Sequence, residues 1–269
     1  LLIWGQERTI TKRDIVRRTG LASGTFGDLT LGAYDQFEAY LKQPTLSSLS
    51  RFTGIDTIPM WANLRAHPTY DDFWKSRNIR QYINKDVKPA VLTVGGWYDA
   101  ENLFGALHVG HNVAKTGNTL VMGPWVHGGW NRGDGDSLGN VKFNAKTGEY
   151  FRDKIQFPFF QHHLHGKSDW KAPGAWVFET GTNQWRRFET WPPKQSELTQ
   201  YDLGPKALLS EKESSGSIRP QSDNSFDEFV SDPSRPVPYI DKIGIGMDRE
   251  YMIADQRFAS RRTDVLTYS

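Results

Sequence analysis

The sequence contains no cysteine among its 269 residues. Disulfide bonds, thiolate catalysis and cysteine-ligated metals are therefore excluded for this chain. The absence of cysteine fits both the cytoplasm and the periplasm, so it does not decide the compartment. The sequence also has no apolar run of the roughly 18 residues that a membrane-spanning helix needs, and we expect no transmembrane helix.

An excess of charge of one sign is also lacking. The 33 Lys and Arg residues nearly balance the 31 Asp and Glu residues, which gives a formal net charge of +2. No basic block stands out, so we expect neither nucleic acid nor an anionic membrane as a partner. Ten Trp and fifteen Phe residues are available to build a sizeable core. The composition is that of an ordinary globular protein, and the length allows more than one domain.

The hydrophobic pattern changes twice along the chain. Residues 1–87 are predicted to be mostly helical and to form a cap, because aromatic residues recur at helical spacing without strands between them. Residues 88–170 alternate strand and helix, as in an α/β domain, with buried parallel strands at "KPAVLTVGG" and "NTLVMGP". Residues 171–269 are predicted to form short strands of an all-β sandwich, including "REYMIA" and "DVLTYS", with a mobile loop at "SEKESSGSIRPQSDNS".

Two helices are predicted in the α/β segment. The first covers residues 101–113 and places Phe104 among its inward-facing side chains. The second is amphipathic, with Thr147 as its N-terminal cap and Gly166 as its end. Pro158 lies inside this second helix and is expected to kink it, because proline cannot donate a backbone hydrogen bond.

One acidic and one basic side chain follow the two predicted parallel strands. Asp99 lies in "GGWYDAEN" after the first strand, and His127 lies in "MGPWVHGGW" after the second. Ligands of open α/β sheets bind at the carboxyl ends of strands. An aspartate there could accept the Nδ1 proton of the imidazole, and the order Asp then His is that of α/β-hydrolases. The alternative is an ordinary loop aspartate and a structural histidine, and the spacing alone leaves it open.

A serine nucleophile is expected in a G-x-S-x-G turn between a strand and a helix, upstream of the aspartate. The literal match "GDSLG" at residues 135–139 follows the histidine and is preceded by loop-forming residues, so we reject Ser137. "GLASG", with Ser23, follows a predicted helix end and is no better. Both ends of the sequence look cut, and we expect a fragment that lacks the nucleophile region.

Histidine and carboxylate clusters offer a weaker alternative, a metal site. The histidines concerned are His108, His111, His162, His163 and His165. The last three close an amphipathic helix, where histidines complement the helix C-terminus. "GDGDS" has calcium-like carboxylates but lacks the remaining ligands of an EF-hand loop. No metal and no cofactor is therefore predicted.

Several longer segments resemble one known family of hydrolases. They are "GGWYDAEN", "VMGPWVHGGWN", "FETGTNQWRRFETWPP", "DEFVSDPSRPVP", "ADQRFASRRTDVLTY" and "IPMWANLRAHPTYDDFWKSRNI". Together they resemble the CocE/NonD hydrolases, which are related to X-Pro dipeptidyl peptidases. Within that family the similarity is greatest to α-amino-acid ester hydrolases and to proteins labelled glutaryl-7-aminocephalosporanic-acid acylase. The match covers nearly the whole chain in the same order, and it is more specific for the family than for the substrate.

The resemblance implies an α/β-hydrolase domain with an inserted helical cap and a C-terminal jelly-roll. Residues 1–87 would be the cap and its flanking segment, residues 88–170 the C-terminal part of the hydrolase domain, and residues 171–269 a partial jelly-roll. Asp99 matches the acid and His127 the base of a Ser-His-Asp triad. The serine and the aromatic oxyanion-hole residue would precede this chain. The resemblance also implies a periplasmic or secreted protein.

The resemblance extends to substrate binding. The amino-acid ester hydrolases use a carboxylate cluster for the substrate α-ammonium, and two of its members follow the triad aspartate. The matching residues here are Glu101 and Asn102, so one carboxylate is retained and one is replaced by a neutral amide. A desolvated ammonium needs compensating negative charge, so this change puts α-amino selectivity in doubt.

Three functions remain open. The leading interpretation is a serine hydrolase that cleaves esters or amides of small acyl groups, of the amino-acid ester or β-lactam acylase type. An X-Pro dipeptidyl peptidase or a general carboxylesterase is the nearer alternative. A non-catalytic carbohydrate-binding module, using the aromatic-rich β part, is the alternative from another class. The expected partner is a small-molecule ester or amide, and the oligomeric state, including a homo-oligomer, is not fixed by the sequence.

Overall fold

The computed structural model describes residues 36–57, 59–83, 87–113, 118–167, 169–204, 208–211, 226–243 and 248–268. They belong to two compact units. Unit 1 contains Leu1–Asn78 and Val230–Val237, and unit 2 contains Ile79–Phe229 and Pro238–Ser269. Ser23 and most of the predicted mobile loop lie outside the described residues.

The N-terminal part of unit 1 is helical where it is described, whereas Val230–Val237 has no helix. Its helices are α1 (Gln36–Leu41), α2 (Leu46–Thr53), α3 (Pro59–Ala66) and α4 (Asp72–Lys75), with a 3-10 helix at Ile55–Thr57. Helix α2 begins with a capping box between Thr45 and Ser48, and it ends at Gly54, whose φ of 69° is left-handed. Helices α1 and α4 lie in segments that the aromatic spacing predicted to be helical.

Unit 2 is built on a four-stranded sheet. Its strands are β1 (Val91–Gly96), β2 (Asn118–Gly123), β5 (Ala175–Glu179) and β6 (Gln184–Phe188), in the order β1-β2-β5-β6. β1, β2 and β5 are parallel, and β6 pairs antiparallel with β5. The two short hairpins are β3 (Ser137–Leu138) with β4 (Val141–Lys142), and β7 (Tyr201–Gly204) with β8 (Leu208–Glu211).

The helices of unit 2 follow its parallel strands. Helix α5 (Leu103–Asn112) connects β1 to β2. Helix α6 (Thr147–Tyr150), a π-helix (Phe151–Gln156) and helix α7 (Phe157–His165) lie between β2 and β5. Near the C-terminus lies α8 (Arg257–Ser260), and 3-10 helices cover Ile79–Tyr82, Gly129–Asn131 and Tyr251–Ile253. Alternation of parallel strands and helices makes this unit an α/β fold.

Strands β5 and β6 correct the predicted boundary between residues 170 and 171. They were expected to open the β-sandwich, but β5 pairs with β2 and extends the α/β sheet. The turn residues "GTN" predict a hairpin, and a hairpin fits a β-sandwich as well as the edge of an α/β sheet. The sequence of the two strands does not show which third strand the hairpin pairs with. The sequence of β5 contained an indication of this pairing, because "AWVF" is a run of four apolar residues. All four are buried in the structure, as in a strand that is covered on both faces.

Two further segments that were predicted to be strands of the jelly-roll are not strands in the structure. The run "REYMIA" forms a 3-10 helix at Tyr251–Ile253, and residues 265–268 of "DVLTYS" are without regular structure. Strands β7 and β8 form as predicted. A jelly-roll domain therefore stays a prediction.

Residues 79–83 also differ from the predicted domain limits. They were assigned to the cap segment, but they group with unit 2. The guanidinium of Arg80 lies 4.9 Å from the centre of the Phe104 ring on α5. Phe104 itself is 66% exposed, so its predicted inward orientation is wrong. The periodicity of α5 does not distinguish a buried face from one that is covered only by a neighbouring side chain.

Two hydrophobic clusters cover the two faces of the sheet. On one face, Val121 and Trp176 pack with Phe151 of the π-helix. On the other face, Leu120 and Met122 pack against residues of α5. Neighbouring residues of β2 therefore face opposite layers, as the alternation of a strand requires. Burial on both faces explains why the parallel strands are almost continuously apolar.

The long helical segment after β2 contains an irregularity next to Pro158. The backbone is a π-helix over Phe151–Gln156 and returns to α-helix at α7, whose second residue is Pro158. Proline has no N–H to donate to the preceding turn, and a π-helix is one way in which a helix accommodates that loss. Gly166, with a φ of 63°, ends the helix as predicted.

Within the described residues, no helix combines the length and the apolar character needed to cross a membrane.

Candidate active site

The loops that follow β1 and β2 are joined by backbone hydrogen bonds. The N–H of Trp97 donates to the carbonyl of Gly123 (2.9 Å), and the N–H of Tyr98 donates to the carbonyl of Trp125 (3.1 Å). A glycine is needed at position 96, because a Cβ there would lie 2.1 Å from the Trp125 carbonyl oxygen. The two loops therefore leave the same edge of the sheet in close contact.

Asp99 is a buried carboxylate, with only 2% of the residue exposed. Its Oδ1 accepts hydrogen bonds from the backbone N–H groups of Glu101 and Asn102, both at 2.9 Å. These amides lead into the first turn of α5, where the positive end of the helix dipole favours an anion. Burial of the charge is therefore compensated, and Oδ2 remains available to another donor.

The imidazole of His127 is that donor. Its Nδ1 lies 3.1 Å from Oδ2 and 3.3 Å from Oδ1 of Asp99. An ionised carboxylate only accepts hydrogen bonds, so the geometry assigns the proton to Nδ1 and leaves Nε2 as an acceptor in the neutral ring. The His127 side chain is 43% exposed, whereas that of Asp99 is 1% exposed. The structure thus brings together the two residues that the sequence predicted as acid and base.

A cleft of about 170 Å³ opens next to this pair. The residues that line it are Tyr98, Ala100, Glu101, Val126, His127, Arg132, Asp248, Arg249 and Tyr251. The lining combines the loops after β1 and β2 with a segment near the C-terminus of the chain. A titratable imidazole at the wall of a polar cleft is the arrangement expected of a hydrolytic site.

The two predicted substrate-binding residues are placed differently. Glu101 lines the cleft together with His127, whereas Asn102 is not one of the lining residues. The Asn102 side-chain oxygen lies 3.7 Å from the point where a Cβ on Gly105 would be, along the helix. Asn102 is the N-terminal flanking residue of α5, although its side chain makes no capping hydrogen bond.

Three charged residues of the cleft were not predicted from the sequence, namely Arg132, Asp248 and Arg249. Arg132 lies five residues beyond His127 in the same loop. This short distance in sequence could have indicated that Arg132 lines the same cleft. Asp248 and Arg249 lie in a distant segment that was predicted to enter a strand. No local pattern connects that segment with the histidine loop, so only tertiary structure places them here.

Asp248 is held by an ion pair with Lys242. The hydrogen bond from the Lys242 ammonium lowers the pKa of Asp248 below its usual value, and the Glu250 backbone N–H, at 2.9 Å from Oδ1, acts in the same direction. The same pair raises the pKa of Lys242. Both partners therefore stay charged at neutral pH, and the carboxylate is already engaged on the cleft wall.

Ser137 lies in a setting that does not suit a nucleophile. It begins the two-residue strand β3, and its hydroxyl donates to Asp136 Oδ1 at 2.9 Å. A nucleophile elbow needs a sharp turn from a strand into a helix. The hydrogen bonds of His127 are with Asp99 and none is with Ser137. The structure therefore agrees with the rejection of "GDSLG".

Three of the other candidate histidines, His108, His162 and His163, pack against neighbouring side chains. His108 Nδ1 lies 3.0 Å from the side-chain amide of Asn112. His162 and His163 form edge contacts with each other, and both lie near the Trp170 ring. Among the described residues, no group of three or more His, Asp or Glu side chains is arranged to hold a metal ion.

Comparison with known proteins finds esterases and peptidases as relatives. Residues 23–129 match the X-Pro dipeptidyl-peptidase (S15) family. Cocaine esterase from Rhodococcus sp. (strain MB1 Bresler) is 28% identical over 210 residues, which is 76% of this chain and 36% of the esterase. The chain therefore spans little more than a third of this relative.

Two solved structures share the fold. An aminopeptidase from the marine sediment archaeon Thaumarchaeota archaeon is 30% identical, with a TM-score of 0.74 over 88% of this chain and 40% of that chain. An α-amino acid ester hydrolase is 28% identical, with a TM-score of 0.72 and the same coverage. Sequence and structure point in the same direction, and together these matches support the CocE/NonD family of hydrolases, which is related to the X-Pro dipeptidyl peptidases.

Proposed function

We propose that this chain supplies the acid and the base of a serine hydrolase that cleaves esters or amides of small acyl groups. The observation that carries the proposal is the buried carboxylate of Asp99 at 3.1 Å from Nδ1 of His127, at the wall of a cleft. Similarity to the X-Pro dipeptidyl-peptidase family, to cocaine esterase and to an α-amino acid ester hydrolase supports this reaction class.

The pair acts through the second nitrogen of the imidazole. Asp99 holds the Nδ1 proton, so Nε2 accepts the proton of the attacking serine hydroxyl as the acyl bond forms. The imidazolium is stabilised by the buried carboxylate, and it then returns the proton to the leaving group. Water repeats the same sequence on the acyl-enzyme, which releases the acid and restores the serine.

The serine of the triad lies outside this chain in our proposal. The chain corresponds to 36% of cocaine esterase and 40% of the aminopeptidase, which leaves most of their length for a nucleophile segment. Ser137, the match to the elbow motif, lies in a short strand and not in a strand-to-helix turn. On this proposal the 269-residue chain by itself has no esterase activity.

The substrate is of the amino-acid ester or β-lactam acylase type. Glu101 provides one carboxylate in the cleft, which suits an α-ammonium group near the scissile bond. The solved relatives, an α-amino acid ester hydrolase and an aminopeptidase, both have names that refer to such groups.

A general carboxylesterase is the second candidate. It is favoured by the neutral Asn102 in place of a second acid, and by the placement of Asn102 away from the cleft lining. Trp176 and Phe178 of the predicted β part are buried in the sheet and cannot stack on a sugar, so these two residues give no support to a carbohydrate-binding module.

The decisive experiment replaces the base. In a protein that contains this chain together with its nucleophile segment, His127→Ala is expected to lower kcat for 4-nitrophenyl acetate by roughly 10³-fold or more. His111→Ala is the matched control, because His111 is exposed on α5 and does not line the cleft. Equal activity of the His127 variant and the wild type would refute the proposal.

The location of the nucleophile is tested on the chain alone. A fluorophosphonate probe labels activated serines, and we expect it to leave the 269-residue chain unlabelled while labelling the longer protein. Labelling of Ser137 in the chain alone would contradict our assignment.

A further inference from the structure

The loop that carries His127 is anchored by the side chain of Trp125, two residues earlier. Trp125 is buried, and its indole Nε1 donates a hydrogen bond to the hydroxyl of Thr147 at 2.9 Å. Thr147 lies 22 residues further along the chain, at the first position of α6, and is fully buried as well. This hydrogen bond, the indole–hydroxyl link, connects the histidine loop with the helical segment that leads to β5.

The hydroxyl of Thr147 is engaged on both sides. It accepts from the indole, and it donates its one proton to the carbonyl of Gly135 at 2.5 Å. An indole N–H only donates and a carbonyl only accepts, so the direction of both hydrogen bonds is fixed. The sequence predicted Thr147 as the cap of this helix, but that position is Lys146. The Thr147 hydroxyl therefore joins two loop segments and does not serve the helix end.

The segment that contains Gly135 fits closely against the indole–hydroxyl link. A Cβ at position 135 would lie 2.7 Å from the Thr147 hydroxyl oxygen and 3.1 Å from the indole nitrogen of Trp125. Beside it, the N–H of Gly148 donates to the carbonyl of Asp134 at 2.8 Å. The segments around Trp125, Gly135 and Thr147 are therefore held together at one point.

The side chain of Trp125 also supports the backbone on both sides of His127. A Cβ at Gly123 would lie 2.4 Å from the indole ring, and one at Gly129 would lie 2.9 Å from the Cβ of Trp125. The N–H of Gly129 donates to the carbonyl of Val126 at 2.8 Å, which closes a turn around His127. The imidazole itself is 43% exposed, so its position is set by the backbone that carries it more than by packing around the ring.

We infer that Thr147 and Trp125 are positioning residues, whose hydrogen bond holds the imidazole of His127 at its distance from Asp99. This role rests on the proposed function for its catalytic meaning, although the position of the ring can be measured without turnover. Strands β1 and β2 bring the two loops together, and the indole–hydroxyl link removes the remaining freedom of the histidine loop. Neither Trp125 nor Thr147 lines the cleft, so loss of the link should reduce kcat and leave KM nearly unchanged.

The position of the ring is tested by NMR on the 269-residue chain. The signal is that of the Nδ1 proton of His127, which the hydrogen bond to Asp99 moves downfield and protects from exchange with water. Thr147→Val replaces the hydroxyl by a methyl group and leaves both of its partners unsatisfied. We expect the signal to broaden and to move upfield in Thr147→Val, and to return in Thr147→Ser, which restores the hydroxyl.

Thr119→Val is the matched control for the lost hydroxyl. The Thr119 hydroxyl is equally buried and donates to the carbonyl of Pro173 at 3.0 Å, outside the histidine loop. The variant removes a buried hydrogen bond of the same kind, and the Nδ1 signal should stay as in the wild type. Urea denaturation of both valine variants separates a general loss of stability from displacement of the ring.

Trp125→Phe tests the indole–hydroxyl link from its other end, and it decides the outcome if Thr147→Val does not fold. It removes the donor, while the Thr147 hydroxyl keeps its bond to Gly135. Trp185→Phe is the control, because Trp185 lies against Trp125 with 5.8 Å between ring centres. Its buried indole nitrogen has no hydrogen-bond partner among the described residues. Only Trp125→Phe should shift the Nδ1 signal.

Turnover is compared in the longer protein that contains the nucleophile. Thr147→Val and Trp125→Phe should each lower kcat for 4-nitrophenyl acetate about 10- to 100-fold, because a loosely held base spends less time in the reactive geometry. Thr147→Ser and both controls should keep kcat near that of the wild type.

The inference is overturned if Thr147→Val and Trp125→Phe leave the Nδ1 signal or kcat unchanged, if the loss falls on KM alone, or if the controls change as much. If the wild type cleaves no ester, the proposed function fails, and the NMR signal still decides whether the indole–hydroxyl link positions His127.

Discussion

The carboxylate of Asp99 lies 3.1 Å from Nδ1 of His127, although 28 residues separate them in sequence. The contact follows from the register of β1 and β2, in which Gly96 is paired with Gly123. Because the strands are parallel, both carboxyl ends lie at one edge of the sheet, and each loop places its functional residue there. The helix between β1 and β2 leaves the two strands adjacent. The contact between Asp99 and His127 therefore needs no other strand.

Removal of the negative charge of Asp99 should disable the imidazole with little change in fold. In Asp99→Asn the side-chain oxygen can still accept the N–H groups of Glu101 and Asn102, but the amide offers a donor to His127. The imidazole is then driven to the tautomer that cannot accept a proton at Nε2. We expect kcat of the nucleophile-containing protein to fall about 10⁴-fold. Asp153→Asn, at an exposed position, serves as the control. A loss of less than tenfold in Asp99→Asn would argue against the triad.

The charge on Glu101 should set the preference for amino substrates. The measured quantity is the ratio of kcat/KM for a phenylglycine ester to that for the matching phenylacetic ester. Glu101→Gln should lower this ratio about fivefold or more, because the ammonium loses its counter-charge. Asn102→Asp should raise the ratio, since it adds a second carboxylate next to Glu101. Equal ratios in the wild type and in both variants would leave Glu101 as a helix N-terminal acid and favour the general carboxylesterase.

The close approach at Gly96 should make this glycine essential for stability. In Gly96→Ala the new Cβ would lie 2.1 Å from the Trp125 carbonyl oxygen, which accepts the N–H of Tyr98. We expect the free energy of unfolding to fall by about 3 kcal/mol or more, as urea denaturation would measure. Gly105→Ala is the matched substitution on α5, where the nearest atom lies at 3.7 Å. It should be neutral or stabilising by about 0.5–1 kcal/mol, because alanine favours a helix. Equal destabilisation by both changes would exclude the steric explanation.

The ion pair between Lys242 and Asp248 should be visible in an acid titration. The lysine lowers the pKa of Asp248 below its usual 3.8. A depressed carboxyl pKa stabilises the fold above the usual value, and this contribution is lost as the pH falls through the folded-state pKa. The amide signal of Glu250, which donates to Asp248 Oδ1, reports this titration by NMR.

The Lys242→Met variant should raise the midpoint of the Glu250 amide titration toward 3.8. Lys154→Met, which removes an exposed lysine from the π-helix, should leave it unchanged. An unshifted midpoint in Lys242→Met would show that the backbone N–H of Glu250, and not the lysine, depresses the pKa of Asp248.

Local sequence determined much of the α/β core and the central pair of the site. The runs "AVLTVGG" and "NTLVMG" are apolar and end in glycine, so strand ends could be located within a residue or so. Because a loop residue directly after a strand stays near the end of that strand, the positions of Asp99 and His127 followed from chain distance alone. The helix between the strands fixed their parallel direction.

Tertiary structure alone decided which elements join this core. Strands β5 and β6 carry a hairpin pattern that suits a sandwich or a sheet edge equally, and only the pairing of β5 with β2 resolved it. Arg249 lines the cleft of His127 from a remote segment, and Phe104 is exposed despite its helical spacing. The physical reason is the same in each case. Periodicity records which face of an element is apolar, whereas the partner on that face is chosen by packing between segments far apart in the chain.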